Sequence, residues 1–236
     1  MLALVLVGCG RLGFDAQGNN TEIDAPTQDT AGSLLPIHHW KFDETGGSSA
    51  ADSAGNIVGM LAGGATWGTG TINGAVDLDG TGAYVDLGNQ HPLGTGAATI
   101  SAWVFTRSIP AANANFSTII SFGFAGLSCG VQDFSTFRYG CSHDGFTMAA
   151  QSDDNALILG QWQLVTFVRN ASGRITIYVD RIQSFIADQD AGQLDVGAIG
   201  SAIGAEGDDQ QYPFDGLIDD VRLFDRALTA SEISQL

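Results

Sequence analysis

Basic residues are scarce in this sequence, and their scarcity excludes a class of partners. The 236 residues include 9 Lys and Arg against 26 Asp and Glu, a formal net charge of −17. Nucleic-acid binding depends on Lys and Arg that neutralise phosphates, so we expect no nucleic-acid partner. Anionic lipid headgroups and strongly acidic polysaccharides are disfavoured for the same reason. We interpret the acidity first as solubility in an external medium, and second as a capacity to bind divalent cations.

Familiar catalytic and phosphate-binding motifs are also missing from the sequence. It contains no Gly-x-x-x-x-Gly-Lys loop and no His-Glu-x-x-His motif. No serine stands in the setting of a nucleophile elbow, a strand followed by a sharp turn into a helix. Strands do not alternate with helices at βαβ spacing, which disfavours a nucleotide-binding α/β fold. Glycosidase chemistry needs two carboxylates at a fixed separation. The neighbours Asp219 and Asp220 do not form that pair, because adjacent residues of a strand face opposite ways.

The apolar run that opens the sequence is too short to cross a membrane. It ends at Cys9, whereas a spanning helix needs about 20 residues. An apolar stretch that ends in small residues is typical of an export signal. Leu6-Val7-Gly8-Cys9 resembles the bacterial lipoprotein box, which implies lipidation of Cys9 and attachment to a membrane through that lipid only. We therefore expect a signal segment at 1–9, a flexible polar tether at 10–35, and a location in the bacterial outer membrane or at the cell surface.

Cysteines are few, and their spacing supports export. Besides Cys9 there are two, Cys129 and Cys141, twelve residues apart. An even pair at hairpin spacing predicts a disulfide in an oxidising compartment, and two free thiols are the alternative. Zinc is disfavoured, because only His143 lies nearby and no Cys-x-x-Cys is present.

What the sequence does contain is a series of short segments with strand character, separated by turn residues. They are Ile37–Phe42, Ala75–Leu78, Ala83–Leu87, Thr99–Thr106, Ser117–Phe124, Thr136–Tyr139, Phe146–Ala150, Trp162–Arg169, Ile175–Asp180, Leu194–Ile199 and Gly216–Phe224. This pattern predicts an all-β fold, an antiparallel two-sheet sandwich that occupies residues 36–236. Thr229 and Glu232 stand at capping-box spacing and predict one short C-terminal helical turn. We assign Trp103, Trp162, Phe167 and Tyr178 to the core or to a sheet face rather than to a sugar-stacking platform.

The last strand carries the two adjacent carboxylates. Strict alternation places Leu217, Asp219, Val221 and Leu223 on one face, and Ile218, Asp220, Arg222 and Phe224 on the other. Each face then has one acid among apolar neighbours. A half-buried carboxylate needs a cation or several hydrogen-bond donors to stay ionised.

Several blocks, taken in order, resemble the laminin G-like, concanavalin A-like lectin/glucanase jelly-roll domains of bacterial surface proteins. The blocks are Trp40–Gly47, Ala51–Asn56, Val76–Gly80, Tyr84–Leu87, Thr99–Val104, Trp162–Asp180 and Phe214–Ile233. The resemblance covers nearly everything from Ile37 onward and implies a jelly roll with a structural calcium ion between its first and last strands. One departure is Arg181, where the family usually has a glycine after Tyr-Val-Asp.

Four acidic residues are candidate calcium ligands: Asp43, Asp52, Asp219 and Asp220. Calcium takes six to eight oxygens from carboxylates, carbonyls and water, which suits loops between strands. The first and last strands of a jelly roll commonly lie side by side, so these residues can converge despite their separation in sequence. The alternative is that Asp43 and Asp219 cap turns by accepting backbone N–H groups, as Asp commonly does.

Polar loops supply weaker candidates for a ligand site. Asp153, Asp154, Asn155 and Asp208 lie in loops where contacts to sugar hydroxyls are expected. Exposed turn chemistry explains the same residues equally well.

We therefore expect a non-catalytic cell-surface module that binds a glycan or a surface protein and carries a structural calcium ion. One alternative is a glycoside hydrolase or polysaccharide lyase on the same fold, since fold alone does not confer function. Another alternative is a purely structural envelope lipoprotein.

Overall fold

The computed structural model describes residues 34–109, 116–123, 126–132, 136–143, 147–184, 200–207 and 209–236. Its elements in chain order are β1 (His38–Trp40), β2 (Ser49–Ala50), β3 (Gly59–Ala62), β4 (Thr66–Thr69), β5 (Gly74–Asp79), β6 (Tyr84–Gly88), β7 (Ala98–Ser108), β8 (Phe116–Ser121), β9 (Leu127–Gln132), β10 (Arg138–His143), β11 (Thr147–Gln151), β12 (Trp162–Arg169), β13 (Ile175–Val179), β14 (Ile182–Ser184), β15 (Ser201–Ile203), β16 (Asp215–Phe224) and α1 (Ala230–Ile233). The predicted signal segment 1–9, nearly all of the predicted tether 10–35 and the predicted strand Leu194–Ile199 lie outside the described residues.

The described strands form two antiparallel sheets, as the sequence predicted. Sheet A has the order β14-β13-β12-β7-β16-β5-β4, with β1 paired to β16 as well. Sheet B has the order β11-β10-β9-β8-β15-β6-β3-β2. Six of these strands were not predicted, namely β2, β3, β4, β9, β14 and β15. They are short or interrupted by glycine and polar residues, so their pairing partners rather than their own propensity define them.

The core lies between the two sheets. Alternate residues of β7, such as Ile100 and Val104, face it together with Ile218 of β16 and Phe167 of β12. Burying a large apolar side chain fully contributes about 1.5–3 kcal/mol to stability. The opposite residues of β7, including Trp103 and Phe105, therefore lie on the outer face of sheet A.

The first and last strands are neighbours, which confirms the expectation drawn from the sequence. Trp40 pairs with Val221, and His38 pairs with Leu223. Nearer the N-terminal end of β16, the same edge pairs with β5 instead, from Asp215 to Ile218. The edge of β16 is thus shared between two partner strands, and Asp219 and Asp220 lie at the point where the partner changes.

The predicted alternation along β16 is wrong beyond Asp219. Asp219 pairs with Trp103 and Arg222 pairs with Ser101, so two residues of β16 oppose one residue of β7. This β-bulge is accompanied by a positive φ of 52° at Asp220. A bulge inserts one extra residue and shifts every later side chain by one position. As a result, the side chains of Ile218 before the bulge and of Val221 and Leu223 after it all lie in the core.

The short C-terminal helix begins with the predicted capping box. The Thr229 side chain accepts the Glu232 N–H, and the Glu232 carboxylate accepts the Thr229 N–H. Leu228 and Ile233 pack with Phe224 and Tyr178 in a second apolar cluster on the outer face of sheet A. Half of that face is therefore covered by the C-terminal segment.

The predicted disulfide is confirmed. Cys129 of β9 and Cys141 of β10 are directly opposite each other and are bonded. We expect that replacing both cysteines with alanine lowers the free energy of unfolding by about 3 kcal/mol, because the bond restricts the unfolded chain. Urea unfolding of the double variant, compared with the oxidised parent, measures this difference. An unchanged transition midpoint would contradict the expectation, and the reduced parent should behave like the variant.

Candidate functional site

The bulge in β16 directs its two carboxylates to different surroundings. Asp220 is buried, with its Oδ1 2.5 Å from His39 Nε2 and its Oδ2 2.6 Å from Arg222 Nη2. Burial acts to raise the pKa of Asp220, but the contacts with His39 and Arg222 outweigh it and lower the pKa. Asp220 is thus an ionised and fully partnered carboxylate.

Asp219 is buried without equivalent compensation. Its Oδ2 accepts the Ile72 N–H at 2.9 Å, while its Oδ1 has no hydrogen-bond partner within the described part of the chain. The pKa of Asp219 is raised to about 6, chiefly by burial and also by the negative charges of Asp220 and Asp43, against the lowering effect of the Ile72 and Thr71 N–H groups. A buried oxygen without a partner requires an explanation, and an absent cation is one of the few available.

Asp43 reaches the same junction from the segment after β1. Its Oδ1 accepts the Gly74 N–H at 3.3 Å, and its Oδ2 accepts from Asn73 Nδ2 at 3.4 Å. The loop before β5 passes close to both acids. A Cβ at Gly70 would approach the Asp219 carboxylate, and a Cβ at Gly74 would collide with the Phe42 carbonyl oxygen. Close backbone approach is a role that glycine fulfils.

The structure keeps Asp52 in a different role. Its Oδ1 accepts the N–H groups of His39, Ala54 and Gly55 at 2.9, 3.2 and 2.8 Å. Its Oδ2 accepts the Ile57 N–H at 3.1 Å and lies 2.6 Å from His38 Nδ1. Asp52 therefore caps its own turn and fixes it against β1.

Of the four acids predicted as calcium ligands, the structure brings Asp43 and Asp219 to one junction and gives Asp52 and Asp220 histidine partners. Within the described residues no group of three or more His, Cys, Asp and Glu side chains is arranged as a metal site. A cation here would be held by two carboxylates and by backbone carbonyl oxygens of the surrounding loops, which is a donor set that calcium accepts. The unpartnered Asp219 Oδ1 and the raised pKa of its carboxyl group are the features that such an ion would satisfy.

A second polar surface lies on the outer face of sheet B, and we call it the Arg138 surface: Phe116, Gln132, Arg138, Gln151, Asp154 and Tyr212. The pairing of β8, β9 and β10 places Phe116, Gln132 and Arg138 in one row. Arg138 Nη1 donates to Gln151 Oε1 at 2.9 Å, and Gln151 Nε2 donates to Gln132 Oε1 at 3.0 Å. The Phe116 and Tyr212 rings meet edge to face at 6.1 Å between centroids. Two amides, of which that of Gln132 is buried, one guanidinium and two half-buried aromatic rings are the kinds of group that line sites for small polar ligands.

One of the predicted polar loops joins this surface. Arg138 Nε donates to Asp154 Oδ1 at 2.5 Å. Asp153 lies one residue away and contacts Ser184, because its N–H donates to Ser184 Oγ at 2.8 Å. Asn155 occupies a left-handed conformation with φ of 61°, as a turn residue. Asp208 lies outside the described residues.

The sequence analysis missed a buried acid beside this surface. Glu206 is 2% exposed, and its Oε2 accepts hydrogen bonds from Ser121 and Ser128 at 2.7 and 2.9 Å. It fixes the loop after β15 to strands β8 and β9. Glu206 stands in a glycine-rich loop without any periodic pattern, so the sequence offered no signal that its side chain turns inward.

Two antiparallel sheets closed by adjacent first and last strands define a jelly-roll sandwich of the lectin and glucanase type. The laminin G family model described as the concanavalin A-like lectin/glucanases superfamily matches residues 79–234. The chain belongs to this family.

Solved structures with the same fold include both binding domains and enzymes. Domain 4 of AbnA, a GH43 extracellular arabinanase from Geobacillus stearothermophilus solved with arabinotriose, is 21% identical with a TM-score of 0.65, and the match covers 85% of this chain and 97% of that chain. The binding domain of Paraclostridial Mosquitocidal Protein 1 is 14% identical with a TM-score of 0.63, and the match covers 85% of this chain and 51% of that chain. A Trypanosoma rangeli sialidase, solved with the inhibitor DANA, is 16% identical with a TM-score of 0.61, and the match covers 84% of this chain and 32% of that chain. At these identities the similarity establishes the fold.

Two further observations concern curated relatives and membrane-spanning helices. A comparison with curated proteins finds no match. Among the described residues, no helix is long and apolar enough to cross a membrane.

Proposed function

We propose that this protein is a non-catalytic module that binds a neutral oligosaccharide at a cell surface. The proposal rests on how much of each similar solved chain this chain matches. The chain matches 97% of a domain solved with arabinotriose, but 32% of the sialidase chain. The shared unit therefore corresponds to a whole sugar-complexed domain in one case and to a third of an enzyme in the other. That difference favours binding over catalysis.

The Arg138 surface is the ligand site we propose for this function. Guanidinium, amide and carboxylate groups offer both donors and acceptors to sugar hydroxyls, and Phe116 and Tyr212 offer apolar ring faces. Arg138 occupies the centre because it contacts both Gln151 and Asp154. Asp153 and Asn155 stay weaker predictions beside it, and Asp208 stays a prediction outside the described residues.

We also propose a calcium ion that stabilises the fold and a location of the protein in the cell envelope. Asp43 and Asp219 would hold a structural calcium ion, whose charge would offset the buried Asp219 carboxylate. Asp52 and Asp220 would support this site from outside, through the turn and the bulge that they stabilise. Lipidation of Cys9 and a location in the bacterial envelope stay predictions, since Cys9 lies outside the described residues.

Replacing Arg138 with alanine is expected to weaken oligosaccharide binding by about 10-fold or more, because a hydrogen bond to a charged group contributes about 1.5–3 kcal/mol. Isothermal titration with arabinotriose and with a panel of neutral hexasaccharides measures the affinity. Arg174→Ala serves as the matched control, because it removes an exposed arginine from the hairpin between β12 and β13.

Two outcomes would contradict the proposed function. Absence of binding to every oligosaccharide of the panel would favour the purely structural envelope protein. Release of shorter sugars during the titration, detected by chromatography, would favour the hydrolase or lyase.

A further inference from the structure

Among the described residues, the C-terminal segment covers one end of the outer face of sheet A. The C-terminal segment packs on Val168, Tyr178 and Phe224 at one end of the face. Beyond them lies a set of half-buried apolar side chains that we call the aromatic row: Trp103, Phe105, Trp162 and Leu217. The sequence analysis assigned Trp103 and Trp162 to the core or to a sheet face, and the structure places both on the face that points away from the core.

Strand register aligns the members of the aromatic row. Trp162 of β12 pairs with Phe105 of β7, and Phe105 pairs in turn with Leu217 of β16. The Phe105 and Trp162 ring centroids are 5.7 Å apart, with their planes tilted by 58°. Trp103 stands two residues along β7, with the Arg181 guanidinium carbon 5.9 Å from its ring centroid. Three adjacent strands spaced about 4.8 Å apart give a surface about 10 Å wide.

A fixed polar group borders the aromatic row on one side. Arg107 Nη2 lies 2.6 Å from Asp77 Oδ1, and Arg107 Nη1 lies 2.7 Å from Asp215 Oδ1. Asp77 pairs with Leu217, so this ionic cluster continues the same row onto β5. The side chains of Arg107 and Asp77 remain 41% and 38% exposed, which leaves polar atoms of both in contact with solvent.

We propose that the aromatic row and its Arg107 cluster form a second oligosaccharide-binding surface, on the sheet opposite the Arg138 surface. Aromatic rings beside a few convergent polar groups are the usual composition of a ligand site. Sugar rings present apolar C–H faces and a rim of hydroxyl groups, and the two parts of this surface match those two features. The inference concerns the same ligand class as the proposed function but uses none of the same residues.

Charge decides which oligosaccharide fits. Asp77 and Asp215 accompany Arg107 beside the row, Arg181 lies over Trp103, and the whole chain has a formal charge of −17. An anionic glycan would be repelled from such a surface, so the ligand we propose is a neutral one. A chain with two such surfaces on opposite faces would bind a long polysaccharide at two places, which increases the apparent affinity without any new contact.

Tryptophan fluorescence tests the proposal directly, because Trp103 and Trp162 belong to the surface. The full chain is titrated with cellohexaose, xylohexaose, mannohexaose and arabinohexaose. We expect a saturable change in emission with at least one of them, and about 10-fold or weaker binding in Trp162→Ala and Phe105→Ala, since buried aromatic anchors dominate such contacts. Isothermal titration gives the affinity of the variants that lack a reporting tryptophan.

Controls separate this surface from the Arg138 surface. Met60→Ala removes a 44% exposed apolar side chain from sheet B and should leave the fluorescence titration unchanged. In Arg138→Ala, which removes the centre of the other site, the saturable change in emission should persist. Melting temperatures close to that of the parent establish that each variant is folded, and Arg107→Ala tests the polar side of the surface without altering an aromatic residue.

The following results would each overturn the proposed second oligosaccharide-binding surface. If Trp162→Ala and Arg107→Ala are folded and bind every hexasaccharide as the parent does, the second surface does not exist. Loss of all binding in Arg138→Ala alone leaves the proposed function intact and contradicts the second surface. Failure of all four hexasaccharides to change the emission contradicts it too, and a Trp162-dependent dimer in sedimentation would identify a second copy of the chain as the occupant.

Discussion

Calcium is expected to raise the melting temperature of the metal-free protein by about 5–10 °C. A ligand at 100 times its dissociation constant stabilises by about 2.7 kcal/mol, and each kcal/mol shifts the melting temperature of a domain of this size by about 2–4 °C. The ion would sit between Asp43 and Asp219, where one buried carboxylate oxygen has no partner among the described residues. Differential scanning calorimetry with calcium and with chelator measures the shift.

The Asp219→Asn variant distinguishes this site from any other. It should lose most of the calcium response, whereas Asp225→Asn, an equal change of charge at an exposed position of the same chain segment, should keep it. Parent and Asp219→Asn melting at temperatures that do not respond to calcium or chelator would contradict the calcium site.

The metal-free protein should also show a characteristic dependence on pH. The folded-state pKa of Asp219 is about 6, above the ordinary value of 3.8, so the folded state binds this proton more tightly than the unfolded state. The free energy of unfolding therefore falls as pH rises from about 4 to about 6, and the full penalty is present above that range. Calcium should remove this loss of stability at higher pH, because the ion favours the ionised carboxylate.

Replacing Asp52 with alanine is the substitution expected to destabilise the fold most, by about 3 kcal/mol or more, because four backbone N–H groups lose their acceptor together, two of them in part-buried hydrogen bonds. Its carboxylate accepts four backbone N–H groups and contacts His38. The turn that it organises supplies the Ile57 carbonyl oxygen to Trp40 Nε1 at 2.8 Å, so the largest core side chain should also lose its restraint. Urea unfolding near neutral pH measures the loss.

Acid should reproduce part of the Asp52→Ala effect in the parent. Burial acts to raise the pKa of Asp52, but hydrogen bonds from His38 and from backbone N–H groups outweigh it and lower the pKa to about 2. The stabilisation is therefore complete above about pH 4 and is lost as pH falls toward 2. Asp86→Ala is the control, since Asp86 is exposed and accepts the Gly88 N–H. An Asp52→Ala variant as stable as this control would contradict the role.

Long-range architecture was predictable because it follows from composition and from ordered motifs. The pairing of Trp40 with Val221 and the Thr229–Glu232 capping box both agree with the sequence analysis. The bulge at Asp220 was not predictable, because alternation is a local rule and a bulge depends on the partner strand. Because the bulge could not be predicted, the sequence alone could not assign different roles to Asp219 and Asp220.

The Arg138 surface was missed although one signal for it was present. Once Cys129 is paired with Cys141 in antiparallel strands, counting three residues outward pairs Gln132 with Arg138. Isolated arginine and glutamine residues attract no attention in a sequence, whereas acidic loops do. The turn at Asp180 and Arg181 shows a related limit. Both residues adopt positive φ angles of 50° and 69°, so Arg181 occupies a left-handed position where the family usually has glycine.

The position of β16 within sheet A has a consequence for how the protein is made. This strand is the last in the chain, yet it lies between β7 on one side and β5 and β1 on the other. A chain synthesised from its N-terminus cannot complete sheet A until residues 215–224 are available. Until then the edges of β5 and β7 are unpaired, and such edges are prone to association with other chains. Ribosome-bound or truncated chains that end before Asp215 should therefore depend on chaperones to remain soluble.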